Sequence, residues 1–153
     1  MTHQLPPHDP TVEAALISAV VLGQFSVPDL TDLVQPAEFF TVSARRIAEA
    51  CVELDRSGDP IEPTTISGRL RATGRLEELG GVKAIVELVD SAPAIANPRD
   101  YAKVVHQLYQ RRAIIDACRI VAAEAYGDTG DHAQWLAHVE RTIMSAAADN
   151  STE

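Results

Sequence analysis

Residues 97–131, NPRDYAKVVHQLYQRRAIIDACRIVAAEAYGDTGD, decide the fold of this chain. The segment opens on Asn97, a favoured N-cap residue, with Pro98 at the first helical position and Asp100 in the first turn. Neither glycine nor proline follows before Gly127. The sequence therefore predicts about 30 residues of uninterrupted helix.

A second helix is predicted directly after the first one. Gly127-Asp128-Thr129-Gly130 forms a tight connector, and Asp131 with Gln134 makes a capping pattern. Apolar residues recur in both helices at steps of three and four, which is typical of two helices that pack along each other. We therefore expect an antiparallel α-helical hairpin over residues 97–148. The predicted stripes are Tyr101, Val104, Leu108, Ile115, Cys118, Ala122 and Ala125 in the first helix and Trp135, Val139, Ile143 and Ala146 in the second.

Glycine and proline divide the residues before this hairpin into helix-sized pieces, and β-branched residues rarely alternate with polar ones as a strand requires. The chain is therefore predicted to be all-α, with a compact five- or six-helix head over residues 1–92. Residues 93–96 are expected to form a connector and residues 149–153 a disordered tail. The predicted helices of the head begin at or next to Asp9, Ser26, Val42, Thr64 and Gly81.

The chain carries two adjacent phenylalanines and two isolated cysteines. Phe39 and Phe40 are expected to fill the core of the head. Cys51 and Cys118 each lie in an apolar helical pattern and are predicted to be buried free thiols instead of a disulfide. No cysteine or histidine has a second ligand at the spacing of a metal site, and no cofactor is expected.

The formal net charge is −9, and no Lys or Arg occurs before Arg45, which leaves the N-terminal third purely acidic. Binding to phosphates requires clustered cations, so DNA is expected to be contacted only indirectly. The densest basic cluster is either a solvated helix face paired with Glu77 and Glu78, which the sequence favours, or a weak nucleic-acid contact. This cluster consists of Arg69, Arg71 and Arg75.

The sequence contains no motif that binds a nucleoside triphosphate or builds a catalytic centre. No glycine is followed five positions later by Gly-Lys-Ser or Gly-Lys-Thr, and no serine lies in a nucleophile elbow. The chain by itself is therefore predicted to be no enzyme, without catalytic, cofactor-binding or metal-binding residues. Its longest apolar run, Ala14 to Leu22, is too short to span a membrane, and no signal-peptide pattern precedes it. A soluble, cytoplasmic protein is expected.

A two-helix hairpin cannot bury both of its long faces by itself, so its spare apolar residues predict a partner, and self-association is the simplest one. Arg111 and Arg112 either bridge to an acidic residue of a neighbouring chain or form an ordinary exposed pair. Trp135 is expected to pack within the hairpin or to anchor an interface. The predicted interface comprises Tyr101, Val104, Leu108, Arg111, Arg112, Ile114, Ile115, Val121, Trp135, Leu136, Val139 and Ile143.

Several short motifs follow one another between Leu5 and Arg112. They are Pro6-Pro7-His8-Asp9, Pro36-Ala37-Glu38-Phe39-Phe40, Gly58-Asp59-Pro60-Ile61, Gly74-Arg75-Leu76-Glu77-Glu78-Leu79-Gly80-Gly81, Ala96-Asn97, Tyr101-Ala102 and Arg111-Arg112. Their order and spacing resemble the N-terminal module of DnaB-type replicative helicases, and the resemblance extends to about Ala147. The chain departs from the family at Ser18, where a glycine is usual, and at residues 41–46 and 83–85, where aromatic residues are usual.

The resemblance implies an all-α head followed by a helical hairpin, with no catalytic residue. Hairpins of this family pair, so that six modules form a collar over a ring of motor domains, and the module docks primase or the helicase loader. ATP and Mg²⁺ belong to the motor domain with its phosphate-binding loop, and this sequence contains no such loop.

Three functions are compatible with the sequence. The first is the non-catalytic collar and docking module of a replicative helicase in DNA replication, as an excised domain or as part of a split system. The second is a free-standing interaction protein that regulates helicase or primase assembly, which the start at Met1 and the polar end at Glu153 modestly favour. The third and most remote is an acidic helical DNA-binding regulator that uses Arg69 to Arg75.

Overall fold

The computed structural model describes residues 4–148, and within that range every regular element is a helix. The predicted all-α class is confirmed. Two single-turn 3-10 helices, Pro36–Glu38 and Glu77–Leu79, join the longer ones. The predicted disordered tail, residues 149–153, lies outside the described residues. The α-helices are α1 (Pro10–Val21), α2 (Val27–Thr31), α3 (Val42–Ser57), α4 (Pro63–Ala72), α5 (Gly81–Ser91), α6 (Pro98–Ala125) and α7 (His132–Ala147).

The chain divides into two compact units. The bundle unit is His8–His106, and the hairpin unit consists of the residues after it together with the few residues before it. The division falls within α6, later in the chain than the connector predicted at residues 93–96. Packing explains its position, because Ala102 and Val105 of α6 are buried in the hydrophobic cluster of the bundle unit.

Helix starts in the bundle unit mostly follow the predicted capping residues. Asp9 caps α1 and Ser26 caps α2, each by accepting a backbone N–H at 3.1 Å. The predicted cap of α4 at Thr64 is wrong. The helix already begins at Pro63, with Glu62 as its N-cap, because the fixed φ angle of proline suits the first helical position.

One hydrophobic cluster forms the core of the bundle unit. Cys51 is buried in it as predicted, and burial raises the pKa of its thiol from 9.0 to about 12. Burial favours the neutral thiol, so the folded state keeps the Cys51 proton at pH values where the unfolded chain loses it. The contribution of the protonated thiol to the stability of the fold is therefore fully present below pH 9.0 and is lost as the pH rises through about 12. Ser18 donates a buried hydrogen bond to the Val89 carbonyl at 3.1 Å and so links α1 to α5.

The segment between α2 and α3, residues 35–41, is here called the junction segment. A carboxylate from α1 holds its end. Glu13 accepts hydrogen bonds from the N–H groups of Phe40 and Thr41 at 2.8 and 2.9 Å and from the Thr41 hydroxyl at 2.7 Å. Thr41 is the N-cap of α3, so a distant carboxylate supplies the negative charge that favours this helix start.

The two phenylalanines of the junction segment have different surroundings. Phe39 is only 1% exposed and belongs to the hydrophobic cluster, as predicted. Phe40 is half-buried, and its ring stacks on His8 with a centroid distance of 4.2 Å, so the expectation that both fill the core holds for one of them only. Arg45 donates to the carbonyl groups of both residues at 3.3 and 3.2 Å.

The surface of the N-terminal third carries fewer free carboxylates than the sequence of this third contains. Glu13 and Glu38 are buried, and Glu38 Oε1 lies 2.5 Å from His106 Nδ1. Asp29 forms an ion pair with Arg99 at 3.1 Å. The purely acidic face expected from the sequence is therefore reduced by carboxylates that serve contacts within the bundle unit.

Candidate interaction surface

Side-chain contacts arrange α6 and α7 as an antiparallel hairpin within the hairpin unit. Gln110 Nε2 of α6 donates to the carbonyl of Ala147 at the end of α7, at 2.9 Å. Near the end of α6, the Glu124 carboxylate accepts a hydrogen bond from Trp135 Nε1 at 3.3 Å and lies 3.1 Å from His138 Nε2. The earlier residue of α6 thus contacts the end of α7, and the later residue of α6 contacts the start of α7. The two helices are therefore antiparallel, which confirms the predicted hairpin.

The face of α6 that packs towards α7 differs from the predicted stripe. Ala117 is buried, and its neighbours on the same face are half-buried. Apolar residues lie on two adjacent faces of α6, so their periodicity alone does not show which face packs against α7. The contacts of Gln110 and Glu124 with α7 identify that face. A shift of one residue turns a helix face by about 100°. This inner face consists of Gln110, Ile114, Ala117, Val121 and Glu124.

Four residues of the predicted stripe, Leu108, Ile115, Cys118 and Ala122, lie off the inner face of α6. Together with Arg111 on the same side of the helix, they are here called the outer stripe. Ile115 is 37% exposed, and Arg111, Cys118 and Ala122 are also exposed, whereas Leu108 is half-buried. The prediction that Cys118 is a buried thiol is wrong, because this residue lies beside the inner face and not on it.

The remaining residues of the predicted interface occupy other settings. Tyr101 packs against the hydrophobic cluster of the bundle unit. Val104 and Leu136 are exposed. Trp135 donates a hydrogen bond to Glu124 within the hairpin, and its role at an interface stays a prediction. The other residues of the predicted interface are half-buried, as Leu108 and Arg112 also are: Ile114, Val121, Trp135, Val139 and Ile143.

The adjacent arginines of α6 have different surroundings. Arg111 is exposed, while Arg112 is half-buried. The Nη1 of Arg112 donates a hydrogen bond to the Pro7 carbonyl at 2.8 Å, and its guanidinium carbon lies 5.8 Å from the centroid of the Tyr109 ring. Nothing in the sequence predicts this contact. Residues 105 positions apart leave no local signal of their proximity.

The basic cluster of Arg69, Arg71 and Arg75, in and just after α4, is largely neutralised by neighbouring carboxylates. Arg69 pairs with Asp59 at 3.4 Å, and Arg75 pairs with Glu49 at 2.8 Å, while Arg71 is exposed. These partners are not the two glutamates that the sequence suggested. Two of the three arginines therefore already have anionic partners, which weakens the case for a nucleic-acid contact.

Neither a metal centre nor a membrane span is found in the part of the chain that the structure describes. Residues 4–148 contain no group of three or more His, Cys, Asp or Glu side chains placed to hold a metal ion. No helix within the same range is long and apolar enough to cross a membrane.

Comparisons with known proteins identify relatives over nearly the whole chain. The family model described as the DnaB-like helicase N terminal domain matches residues 5–107. Replicative DNA helicase DnaC of Bacillus subtilis is 28% identical over 152 residues, which cover 99% of this chain and 34% of that protein. Replicative DNA helicase DnaB of Treponema pallidum is 31% identical over 126 residues, which cover 82% of this chain and 29% of that protein. The chain thus spans about a third of the length of these relatives.

A solved structure shares the fold. The N-terminal domain of DnaB helicase from Mycobacterium tuberculosis superposes with a TM-score of 0.84 at 22% sequence identity, over 92% of this chain and 99% of that one. The likeness extends to the helical architecture described above. Because the family model also matches more than half of the residues, the chain belongs to the family of DnaB-like helicase N-terminal domains.

Proposed function

We propose that the chain is a non-catalytic assembly and docking module of a DnaB-type replicative helicase acting in DNA replication. Its hairpin unit joins a second copy of the chain through the outer stripe. The observation that carries this proposal is that Ile115, Cys118 and Ala122 remain exposed on one face of α6 after the hairpin has formed, next to the half-buried Leu108. Membership of the family supports the wider assignment.

The chemistry of the outer stripe suits a second copy. Ile115 and Leu108 lie two turns apart on one face, and burial of such side chains contributes about 1.5–3 kcal/mol each. Small residues at Cys118 and Ala122 allow a partner helix to approach closely. Exposed charges of both signs are present on α6, because Arg111 and Asp116 are both accessible, so two copies need not repel each other.

The proposed assembly has further partners. In the collar arrangement that the family resemblance implies, as many as six copies stand above motor domains and present a docking surface to primase or a helicase loader. ATP hydrolysis and strand separation would belong to a motor domain, since the present chain corresponds to about a third of its helicase relatives. DNA would be reached only indirectly, because Arg69 and Arg75 are engaged in ion pairs.

Substitution of Ile115 by aspartate tests the outer stripe. The parent chain is expected to form dimers or higher oligomers, and Ile115→Asp is expected to weaken their association by about 100-fold, because a carboxylate would be buried without a partner. Size-exclusion chromatography with light scattering over a range of concentrations gives the mass directly. Ile120→Asp is the matched control, since Ile120 is 54% exposed on the same helix but lies off the outer stripe.

The two isoleucine variants separate a specific interface from general damage to the helix. Equal loss of association in both variants would contradict the assignment of the interface to the outer stripe. A parent chain that stays monomeric at every concentration would overturn self-association altogether. Circular dichroism of both variants checks that the helical content is kept.

Native cysteines provide a second test of the same surface. In dilute solution at a pH of about 8, we expect one thiol per chain, that of Cys118, to react rapidly with a thiol reagent, because Cys51 is buried and its thiol stays protonated. At concentrations where copies associate, the reaction of Cys118 should slow at least about tenfold, since the outer stripe becomes covered. Labelling that does not depend on concentration while oligomers are present would place the interface elsewhere.

A free-standing regulator of helicase or primase assembly is the second candidate function. The observation that favours it is the same accessible outer stripe, which offers a docking site to the hairpin of a separate helicase as well as to a second copy. Titration of the purified chain into purified helicase of the same organism distinguishes the two. A regulator changes the mass and the ATPase rate of that helicase, whereas a module that only joins its own copies leaves both unchanged.

A further inference from the structure

The solvent side of α5, in the bundle unit, carries two apolar residues beside a pair of opposite charges. Val82 and Val86 are each 37% exposed and lie one turn apart, whereas Ile85 between them in sequence is buried in the hydrophobic cluster. Lys83 Nζ lies 3.6 Å from Glu87 Oε1, and most of both side chains is in water. The four exposed residues, Val82, Lys83, Val86 and Glu87, are here called the α5 face.

The order of the two charges makes the α5 face complementary to itself. When two copies of a helix pack antiparallel about a two-fold axis, each copy meets the residues of the other in reverse order. With the axis between residues 84 and 85, Lys83 of one copy lies opposite Glu87 of the other, and the second pair repeats this contact. Val82 of one copy then packs near Val86 of the other. Both charge pairs across the contact are attractive.

Asp90 supplies a second charge argument for the same antiparallel pairing. It is exposed in the last turn of α5, which ends at Ser91. A negative charge is unfavourable at the C-terminal end of a helix and favourable at the N-terminal end. The two-fold pairing brings Asp90 of one copy next to the start of α5 in the other copy, at Gly81. A carboxylate that is poorly placed in a single copy is therefore well placed in a pair.

We propose that the α5 face is a second self-association surface, which a second copy of the chain covers. The inference rests on the proposed self-association through the outer stripe and names the contact that extends it. A surface that joins two copies about a two-fold axis is used up by one partner, so the outer stripe alone stops at a pair. A second two-fold surface, on the bundle unit, links such pairs into larger assemblies.

The size of the α5 face sets the strength of this contact. The helix has 11 residues and is about 16 Å long, so the area that two copies bury there is small. A small contact holds two copies weakly by itself. It becomes effective when the outer stripes have already joined the chains into pairs, because each pair then offers two α5 faces.

Reversal of single charges tests the α5 face. Lys83→Glu sets carboxylates against each other in both opposed pairs, and Glu87→Lys does the same with ammonium groups. Each variant is expected to weaken the association of pairs into larger assemblies by at least about tenfold while the pairs themselves persist. Sedimentation equilibrium of the whole chain over a range of concentrations measures both steps. Arg71→Glu is the matched control, since Arg71 is an exposed cation of α4, and this variant should assemble like the parent.

An equimolar mixture of the two charge variants is the decisive measurement. Across the contact, the acidic side chains of Lys83→Glu face the basic side chains of Glu87→Lys, so both opposed pairs are attractive again. The mixture should therefore assemble like the parent although neither variant does so alone. Pairing within one helix does not produce this result, because residues 83 and 87 carry the same charge in each variant. A mixture that stays at the mass of a pair would overturn the inference.

The outcomes separate this inference from the proposed function. If Ile115→Asp lowers the mass while both charge variants assemble like the parent, the α5 inference fails and the outer stripe stands. If the charge variants and their mixture behave as expected while Ile115→Asp changes nothing, the outer stripe fails and the α5 face stands. A parent chain that is a monomer at every concentration contradicts both.

Discussion

Phe39→Ala is expected to lower the free energy of unfolding by about 4 kcal/mol, the largest effect anticipated for a single substitution in this chain. Phe39 is 1% exposed and lies in the hydrophobic cluster, where its removal leaves a cavity that the surrounding helices can only partly fill. Urea unfolding followed by circular dichroism measures the loss. The slope of the transition should stay near that of the parent, because the surface exposed on unfolding changes little.

The neighbouring phenylalanine is the control. Phe40 is half-buried and stacks on His8, so Phe40→Ala is expected to cost about 1 kcal/mol. Similar losses for the two variants would contradict the assignment of Phe39 to the core. They would mean instead that the junction segment responds as a whole to any change in it.

Glu13→Ala is expected to lower the free energy of unfolding by about 3 kcal/mol. The carboxylate is 3% exposed and accepts three hydrogen bonds from Phe40 and Thr41, whose donors would lose their partner at the start of α3. Glu13→Gln should lose about half as much, because the amide keeps an acceptor oxygen but neither the charge nor the second acceptor. Thermal unfolding by calorimetry measures both.

An exposed glutamate supplies the comparison for this prediction. Glu87 of α5 lies 3.6 Å from Lys83 at the surface, and Glu87→Ala should change stability by less than about 0.5 kcal/mol. A loss of similar size for Glu13→Ala would show that the junction segment does not depend on its buried carboxylate. Hydrogen exchange at the Thr41 amide would then also be unchanged from the parent.

Local chemistry predicted most of the helical architecture. A short polar cap residue and a proline in the first turn mark the starts of α1 and α2. The cap accepts a backbone N–H that has no partner within the helix, and the proline has no N–H to satisfy. The second helix ends at Thr31, although apolar residues continue at helical spacing to Val34. Apolar residues can continue at steps of three and four beyond the end of a helix when the residues that follow it are also buried. Val34 is such a residue, because it is buried although it lies after α2.

The candidate surface was harder to predict because it depends on which face of α6 is covered. Both faces have the spacing of a packing stripe, and the choice between them rests on contacts such as that of Gln110 with Ala147. The contacts of Glu13 with Thr41 and of Arg112 with Pro7 likewise join residues that lie far apart in the sequence. Sequence periodicity reports that a face is apolar, but it carries no information about distant residues that meet it.

Because one native cysteine is buried and the other is exposed, the rates at which their thiols react with a labelling reagent report two different processes in the unmodified chain. Cys51 becomes accessible only when the bundle unit opens, so its labelling rate, under conditions where reclosing outpaces the reaction, gives the free energy of that opening. Cys118 reports the coverage of α6 on a faster timescale. A single labelling time course therefore resolves dissociation of the copies from unfolding of the chain, two processes that a melting curve of an oligomer merges into one transition.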